Sequence, residues 1–260
     1  MSQPKGYVDS EYLQAAARLL HQAKQRSYVF MQIQPGYKVL DVGCGPGTDT
    51  VALGQIVGST GQVSGVDYDA AMVAEANQRA ENSGVSAWVK HQQADATPLP
   101  WEANEFDACR SERLFQHLFN PEQALAEMAR VTKPGGWVVV LDTDWGSLST
   151  DTEETDIERR LARVCAERCL RNGYSGRQLY RLFKRRNLKD ITIEMFPAIV
   201  TSYALARQIA IFDRTEKEAL AAGIITEHEL ERWHISLERA DTEGVFFNSA
   251  SMVLVGGRKT

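Results

Sequence analysis

Apolar and polar positions follow two different periods along this chain. Residues 11–34 carry Leu13, Ala16, Ala17 and Leu20, then Val29, Phe30 and Ile33, the spacing of one helix face; Pro35-Gly36 stops the segment. From Lys38 onward, short apolar runs alternate with helical stretches. A first strand over 38–42 runs into glycines and a helix over 48–57. A second strand covers 62–66, and Asp69 caps a helix to about Ser83, with Gly84 after it. A third strand is predicted over 87–91, and a fourth opens at 106–109. Asn120-Pro121 starts a helix to Val131, with Asn as cap and Pro at the first helical position. Lys133-Pro134-Gly135-Gly136 reads as a turn. Residues 137–141 are Val-rich and continuous, as a fifth strand covered on both faces requires.

Strands alternating with helices predict an α/β fold with a parallel sheet and helices on both sides. Right-handed crossovers place the loops after the strands on one edge, where ligands bind near the switch in strand order. After Asp142 the pattern changes. Helices are predicted over 151–172, ending at Asn172-Gly173, and over 176–187. A strand over 191–200 contains Pro197, which marks an edge or a bulge. Residues 203–222 and 226–240 are helical, the second opening with a Thr226/Glu229 capping box, and 249–255 is a last strand.

Composition narrows the class. The 260 residues are 43% hydrophobic and 24% charged, the profile of a soluble globular enzyme: one large domain, or one carrying an inserted cap. A net charge of −5 argues against a nucleic-acid partner; Lys184-Arg185-Arg186 is read as a helix end that suits the dipole. No apolar run reaches the length of a membrane span, and residues 1–10 are polar without a signal-peptide core, so a cytoplasmic location is expected. Cys44, Cys109, Cys165 and Cys169 are too scattered for a disulfide framework. Cys165 and Cys169 share a helix face. Without CxxC-spaced partners they read as buried thiols rather than metal ligands.

The chemistry sits at Asp41-Val42-Gly43-Cys44-Gly45-Pro46-Gly47, a strand running into a glycine-rich turn and a helix. Glycines let the backbone approach a ligand, and the helix N-terminus offers unpaired N–H groups. Dinucleotide enzymes space these glycines GxGxxG; here the spacing is GxGxG with Pro46 inside. Asp67 ends the second strand, where a carboxylate can accept from both hydroxyls of a ribose. Tyr68 and Met72 can flank an adenine. Asp95, after the third strand, can accept from the adenine amino group, with the Ala96 backbone serving a ring nitrogen.

Together these motifs resemble class I S-adenosylmethionine-dependent methyltransferases of the ubiquinone/menaquinone-biosynthesis type, over residues 35–142. The resemblance implies a Rossmann-like, doubly wound seven-stranded sheet with an antiparallel last strand. It implies S-adenosylmethionine as cofactor, with contacts at Asp41, Gly43, Gly45, Asp67, Tyr68, Met72, Asp95 and Ala96, and around Ser111. The segment Arg110-Ser111-Glu112-Arg113-Leu114-Phe115-Gln116-His117 carries more charge than the commonest pattern of the family. On this reading residues 1–260 form a single methyltransferase domain. Its cofactor-binding core is 35–142, and helical cap insertions at 143–175 and 202–245 form the substrate side.

Methyl transfer is an in-line displacement that needs alignment of the nucleophile and exclusion of water. A general base is required only where the nucleophile must lose a proton. His117, after the fourth strand on the ligand edge, is the candidate base, so its loss is expected to cost turnover and spare cofactor affinity. His21 is second, and His228 and His234 lie in the C-terminal helices. Glu112 and Arg113 are read either as binders of substrate or of the cofactor's amino-acid end, or as a solvated pair. Tyr7, Tyr12, Trp145, Tyr174, Tyr203, Phe212, Trp233, Phe246 and Phe247 are available to a lid, which would suit a small, partly apolar acceptor. The expected partner is a small-molecule methyl acceptor, methylated at O, N or C. No nucleic acid and no metal are expected, and a homodimer is left open. The alternatives are an RNA or protein methyltransferase, a non-catalytic S-adenosylmethionine-binding protein and a nicotinamide oxidoreductase. Arsenite methylation through Cys44 and Cys109 has thin support.

Overall fold

A computed structural model describes residues 20–260. Leu13, Ala16, Ala17, Tyr7 and Tyr12 lie outside the described residues. The first described helix is α1 (His21–Phe30). The alternating region follows: β1 (Lys38–Val42), α2 (Thr48–Val57), β2 (Gln62–Asp67), α3 (Ala70–Asn82), β3 (Val89–Gln93), β4 (Phe106–Glu112) and α4 (Pro121–Val131). Then come β5 (Thr132–Thr150), α5 (Thr155–Val164), α6 (Ser175–Arg185) and β6 (Lys189–Val200). The chain closes with α7 (Tyr203–Ile209), α8 (Phe212–Ala221), α9 (Glu227–Thr242) and β7 (Asn248–Arg258).

Seven strands form one sheet in the order β3-β2-β1-β4-β5-β7-β6. The first five pair in parallel, and β7 runs antiparallel to both β5 and β6. The order reverses between β1 and β4, so the loops after these two strands open the crevice where α/β folds bind ligands. Pro197 lies in β6, an edge strand, where a missing N–H costs no ladder bond.

Alternation along each strand sends side chains to two cores. Leu40, Val42, Val138 and Val140 pack with Leu125 and Met128 of α4 and with Leu179 and Phe183 of α6. Val39, Val139 and Leu141 pack on the other face with Tyr28 and Phe30 of α1 and with Leu53 and Val57 of α2. A third cluster, with Leu161, Ala206, Phe212, Trp233 and Leu237, is the core of a helical cap. The cap sits beside the carboxyl end of β5, and Gly176 brings α6 against the β5 backbone: a Cβ there would stand 2.8 Å from the Asp144 nitrogen.

The local signals hold where chemistry is local. The Asp69 side chain accepts from Ala71 N, Asn120 from Gln123 N, and both halves of the Thr226/Glu229 capping box are present. Five elements differ from expectation. The third strand starts at Val89, because pairing with Val63 of β2 sets its register and residues 85–88 turn instead. The predicted turn at Lys133–Gly136 is drawn into β5 as an irregularity, where Gly136 has no room for a Cβ beside the Asp107 carbonyl. β5 continues to Thr150 because β7 supplies a long antiparallel partner, so the cap segment expected from 143 begins only after 150. Residues 151–172 hold a shorter α5 followed by a π-turn at Cys165–Cys169, and 203–222 breaks at Ile211, whose φ is +52°.

Candidate functional site

The glycine loop leaves β1 and is pinned at once to β2. Gly43 N and Cys44 N both donate to Val66 O, at 2.8 and 2.9 Å. Two glycines explain its shape. Gly47, at φ +76°, lies so near Ala76 of α3 that a Cβ would stand 2.8 Å from it. Gly45, at φ +51°, faces open space, with nothing within 4 Å of its would-be Cβ. The first closes the turn against a helix; the second leaves room for a ligand beside the backbone.

Asp67 ends β2 next to this loop. Its Oδ2 accepts from Gly45 N at 2.8 Å and its Oδ1 from Asp69 N at 3.0 Å. Two backbone amides thus fix the carboxylate and leave lone pairs on each oxygen. Burial raises the Asp67 carboxyl, and the Asp69 and Gly45 amides oppose that rise. Tyr68 beside it is exposed, Met72 and Ala96 are buried, and Asp95 is exposed with Oδ1 accepting from Thr97 N at 3.2 Å. Ser111 is buried with its hydroxyl donating to Val42 O at 2.9 Å, so that proton ties β4 to β1.

Asp41 sits under the loop in a buried charge cluster. Register places it opposite Arg110 of β4. The Arg110 guanidinium, fully buried, lies 3.4 Å from Asp41, 3.4 Å from Asp49 and 2.9 Å from Glu112. Lys24 of α1 reaches Asp49 at 2.7 Å and Glu112 at 3.1 Å, and the Tyr28 hydroxyl donates to Asp49. Burial pushes Asp41 up to about 7 against the pull of Arg110. For Asp49 burial works the same way, but Arg110 and Lys24 outweigh it and hold the carboxyl below the usual range. Two polar atoms of this set, Asp41 Oδ1 and Arg110 Nε, are buried with no hydrogen-bond partner.

Sequence reasoning missed Lys24, Asp49 and Arg110, and it offered a solvated pair as one reading of Glu112 and Arg113. The structure corrects that reading: Glu112 is buried and shared by Lys24, Arg110 and Arg113, the last at 3.3 Å. A signal was present. An arginine in the middle of a parallel strand inside the sheet has to find acids on its neighbours.

The segment after β4 is held by a second buried acid. Asp142 Oδ1 accepts from Thr143 N at 2.8 Å and Ser175 Oγ at 2.9 Å, and Oδ2 from Gln116 N at 3.2 Å. Burial nonetheless pushes Asp142 up to about 7. Gln116 passes the restraint on: Trp145 Nε1 donates to its Oε1 at 2.6 Å, and its Nε2 donates to Arg113 O at 3.1 Å. Arg113 has φ +51°, backbone strain of a kind that gathers at ligand sites. Against this segment a cavity of about 460 Å³, counting its open mouth, separates sheet from cap. Leu148, Ile209, Ala210, Ala250 and Met252 supply apolar wall, and Arg113, Thr143 and Asn248 are its polar lining.

His117, the candidate base, does not line that cavity. It ends the short 3₁₀ turn Phe115–His117, with Gln116 Nε2 at 3.1 Å from its Nε2. Burial, helped by Arg113, Arg171 and Arg214, pushes its pKa down to about 4. That setting makes it a weak proton acceptor. His21 is exposed on α1, and His234 Nε2 lies 3.1 Å from Glu216 within the cap. The four cysteines are buried and in no disulfide, and burial pushes the Cys44, Cys109 and Cys165 thiols up. Among the described residues no group of three His, Cys, Asp or Glu is placed to hold a metal ion, and no helix is long and apolar enough to cross a membrane.

A histidine that sequence reasoning passed over also braces the loop. His91 Nε2 lies 2.6 Å from Thr50 Oγ1, itself 3.0 Å from Gly47 O, and Nδ1 lies 3.1 Å from Asn77 Oδ1. Burial lowers its pKa from 6.5 to about 4. On acidification the unfolded chain therefore takes up the proton first, and stability present above pH 6.5 is lost as pH falls toward 4. The melting temperature is expected to fall between neutral pH and that range. His91→Gln should make the fall shallower in a calorimetric pH series; an unchanged slope would mean that His91 carries none of it.

Comparison with known proteins fits this geometry. A family model described as a methyltransferase domain matches residues 33–187. A 37.1 kDa protein in transposon TN4556 of Streptomyces fradiae is 33% identical over 230 residues, 88% of this chain and 65% of that protein. The demethylmenaquinone methyltransferase of Staphylococcus aureus (strain MRSA252) is 40% identical over 118 residues, 45% of this chain and 48% of that enzyme. The chain thus spans less than two thirds of the length of these curated relatives. The YcgJ protein of Bacillus subtilis shares the fold, with a TM-score of 0.65 at 20% identity over 92% of this chain and 99% of that one. With a family model matched over more than half its length, the chain belongs to the methyltransferase domain family, in the class I S-adenosylmethionine-dependent type that its motifs resemble.

Proposed function

We propose that this protein transfers a methyl group from S-adenosylmethionine to a small-molecule acceptor, at the carboxyl edge of the sheet between glycine loop and cap. The observation that carries this reading is the set of groups around the loop: an amide-fixed Asp67 with lone pairs to offer, a Gly45 facing open space, and a buried, unpartnered Asp41 Oδ1. These fit a nucleoside with two hydroxyls at one end and an ammonium donor at the other. Asp67 accepts from the ribose hydroxyls, and Asp41 from the amino group. Tyr68 and Met72 flank the adenine, and Asp95 and the Ala96 amide read its edge. Gly43 and Gly45 let the backbone close in. Ser111 holds β4 to β1 beside them. When bound, the cofactor supplies an activated sulfonium methyl; the chain's residues align the acceptor and exclude water.

The residues of the cavity support a small molecule as acceptor, and the net charge of −5 speaks against nucleic acid. Buried thiols in no disulfide suit the reducing cytoplasm expected from the sequence. We assign His117 no proton step, because of its low basicity and its place outside the cavity lining.

Calorimetry with S-adenosylhomocysteine is the direct test. The wild-type chain should bind it with micromolar affinity and give no heat with NAD. Gly43→Ala, which sets a Cβ 3.2 Å from Leu114 at φ +76°, should lose that binding. A chain that binds NAD and ignores S-adenosylhomocysteine would sink the proposal.

A further inference from the structure

The buried cluster under the glycine loop satisfies its acids unequally. Asp49 Oδ2 accepts from Lys24 at 2.7 Å, and its Oδ1 accepts from the Tyr28 hydroxyl. Glu112 Oε2 accepts from Arg110 at 2.9 Å, and its Oε1 lies 3.1 Å from Lys24. Asp41 is served least. Its Oδ2 accepts from Arg110 at 3.4 Å, and its Oδ1 has no donor among the described residues. Water reaches neither side chain: 3% of Asp41 and 1% of Arg110 are exposed. A carboxyl so placed resists ionising. Burial pushes Asp41 up to about 7; Arg110 opposes the rise, Asp49 and Glu112 add to it, and Lys24 opposes it more weakly. Arg110 is itself fixed on three sides. Strand register sets it opposite Asp41, Glu112 holds the guanidinium from another side, and the Tyr28 ring lies with its centroid 5.4 Å from Cζ.

Resting on the cofactor reading above, we infer that Arg110 is a positioning residue for the cofactor's amino group, acting through Asp41: it holds Oδ2, so that the carboxylate can carry charge away from water, and leaves Oδ1 to the ammonium. Cofactor binding is then an exchange of cations at Asp41. Without ligand, below neutral pH, the carboxyl keeps its proton. The arriving ammonium takes the place of that proton beside Oδ1. The O–H bond of the carboxyl breaks, its electron pair stays on oxygen, and the proton leaves to solvent. The ligand therefore favours the ionised carboxyl, so affinity falls as pH drops below about 7 and levels off above it. An Arg110 that only held the fold together would make no such link, because it would not distinguish a ligand with an amino group from one without.

The test uses the full chain and two probes, S-adenosylhomocysteine and 5′-methylthioadenosine, the same nucleoside thioether without the amino-acid end. Both are titrated by calorimetry between pH 5.5 and 7.5, in buffers of different ionisation enthalpy, which counts the protons released. On the wild-type chain S-adenosylhomocysteine should gain about twentyfold in affinity across that range and release about three quarters of a proton at pH 6.5. 5′-Methylthioadenosine should do neither, and since it shares the ribose, any titration of Asp67 cancels in the comparison. Arg110→Gln should raise the Asp41 carboxyl by at least one more unit, so that S-adenosylhomocysteine binds about tenfold or more weakly at pH 7 while 5′-methylthioadenosine stays within about twofold. Arg110→Lys, which keeps the cation and loses the fixed fork, should fall between wild type and Gln and serves where Gln unfolds the chain. Asp41→Asn should bind S-adenosylhomocysteine weakly and with no proton released. Equal pH profiles for the two probes on the wild-type chain overturn the inference. So does either Arg110 variant weakening both probes alike, which would leave the residue a structural role alone. A wild-type chain that binds neither probe fells the methyl-transfer reading itself, and this inference with it.

Discussion

Arg110→Met is expected to lower folding stability by about 3–5 kcal/mol, the range seen when one partner of a buried ion pair is removed. Arg110 is the shared counter-ion of Asp41, Asp49 and Glu112, and its side chain is buried from solvent. Methionine fills much of the same volume, so the loss would come from charge and not from a void. Lys24 alone would then face two carboxylates, at 2.7 and 3.1 Å. At about 2–4 °C per kcal/mol for a chain of this class, the melting temperature should drop by roughly 10 °C. The pH dependence identifies the cause. Without the guanidinium Asp41, already raised by burial, rises further and Asp49 loses a cation that holds it low; protonation relieves both, so the deficit should shrink as pH falls from 8 toward 5. Calorimetry of both proteins across that range checks it; a deficit that stays flat with pH would assign the loss to packing. Lys24 and Tyr28 tie α1 into the same cluster, so the variant should also loosen that helix, read as faster amide exchange over residues 21–30.

Asp67→Ala is expected to weaken S-adenosylhomocysteine binding about a hundredfold or more, with the fold kept. The carboxylate accepts from Gly45 N and Asp69 N and has lone pairs left for two ligand hydroxyls. A hydrogen bond to a charged group contributes about 1.5–3 kcal/mol, and two of them make a hundredfold loss a lower figure. The variant would also free the Gly45 amide and let the loop relax, which adds to the loss. Stability should change little, because burial disfavours this carboxylate and part of that cost disappears with it. Asp67→Asn should fall between wild type and alanine, since its amide keeps one acceptor. Calorimetry gives the affinity and circular dichroism the fold. Binding kept within a few-fold in Asp67→Ala would remove the ribose from this residue.

Much of the fold was legible in the sequence because its determinants are local. A cap needs an Asp, Asn or Thr next to the helix it starts, and Asp69, Asn120 and Thr226 are each in place. The glycine loop was legible for the same reason: spacing over seven residues sets its backbone. What sequence did not carry is set by partners far along the chain. Val89 starts β3 because Val63 lies beside it, and β5 runs to Thr150 because residues 248–258 return alongside. Residues 203–222 have one helical period, yet Ile211 breaks them where the cap folds over its own core. His117 looked like a base from its place after β4; the buried, arginine-lined setting that lowers its basicity is made by residues 54 to 97 positions further on, Arg171 and Arg214.

The order of strands and helices, the glycine loop and the acids at the ends of β1 and β2 were therefore determined by the sequence alone. They depend on periodicity and on short spacings, which act within a few residues. Tertiary structure alone decided which charges are buried and where sheet and cap leave a cavity. Arg110 meets Asp41 across 69 residues, and Lys24 meets Asp49 across 25. A charge on paper has the same sign in water or in a core; only packing removes the water that tells them apart. The cavity beside Arg113 likewise exists only where Leu20 ahead of α1, the segment after β4, β5, β6, α7 and β7 converge, and no stretch of sequence contains it.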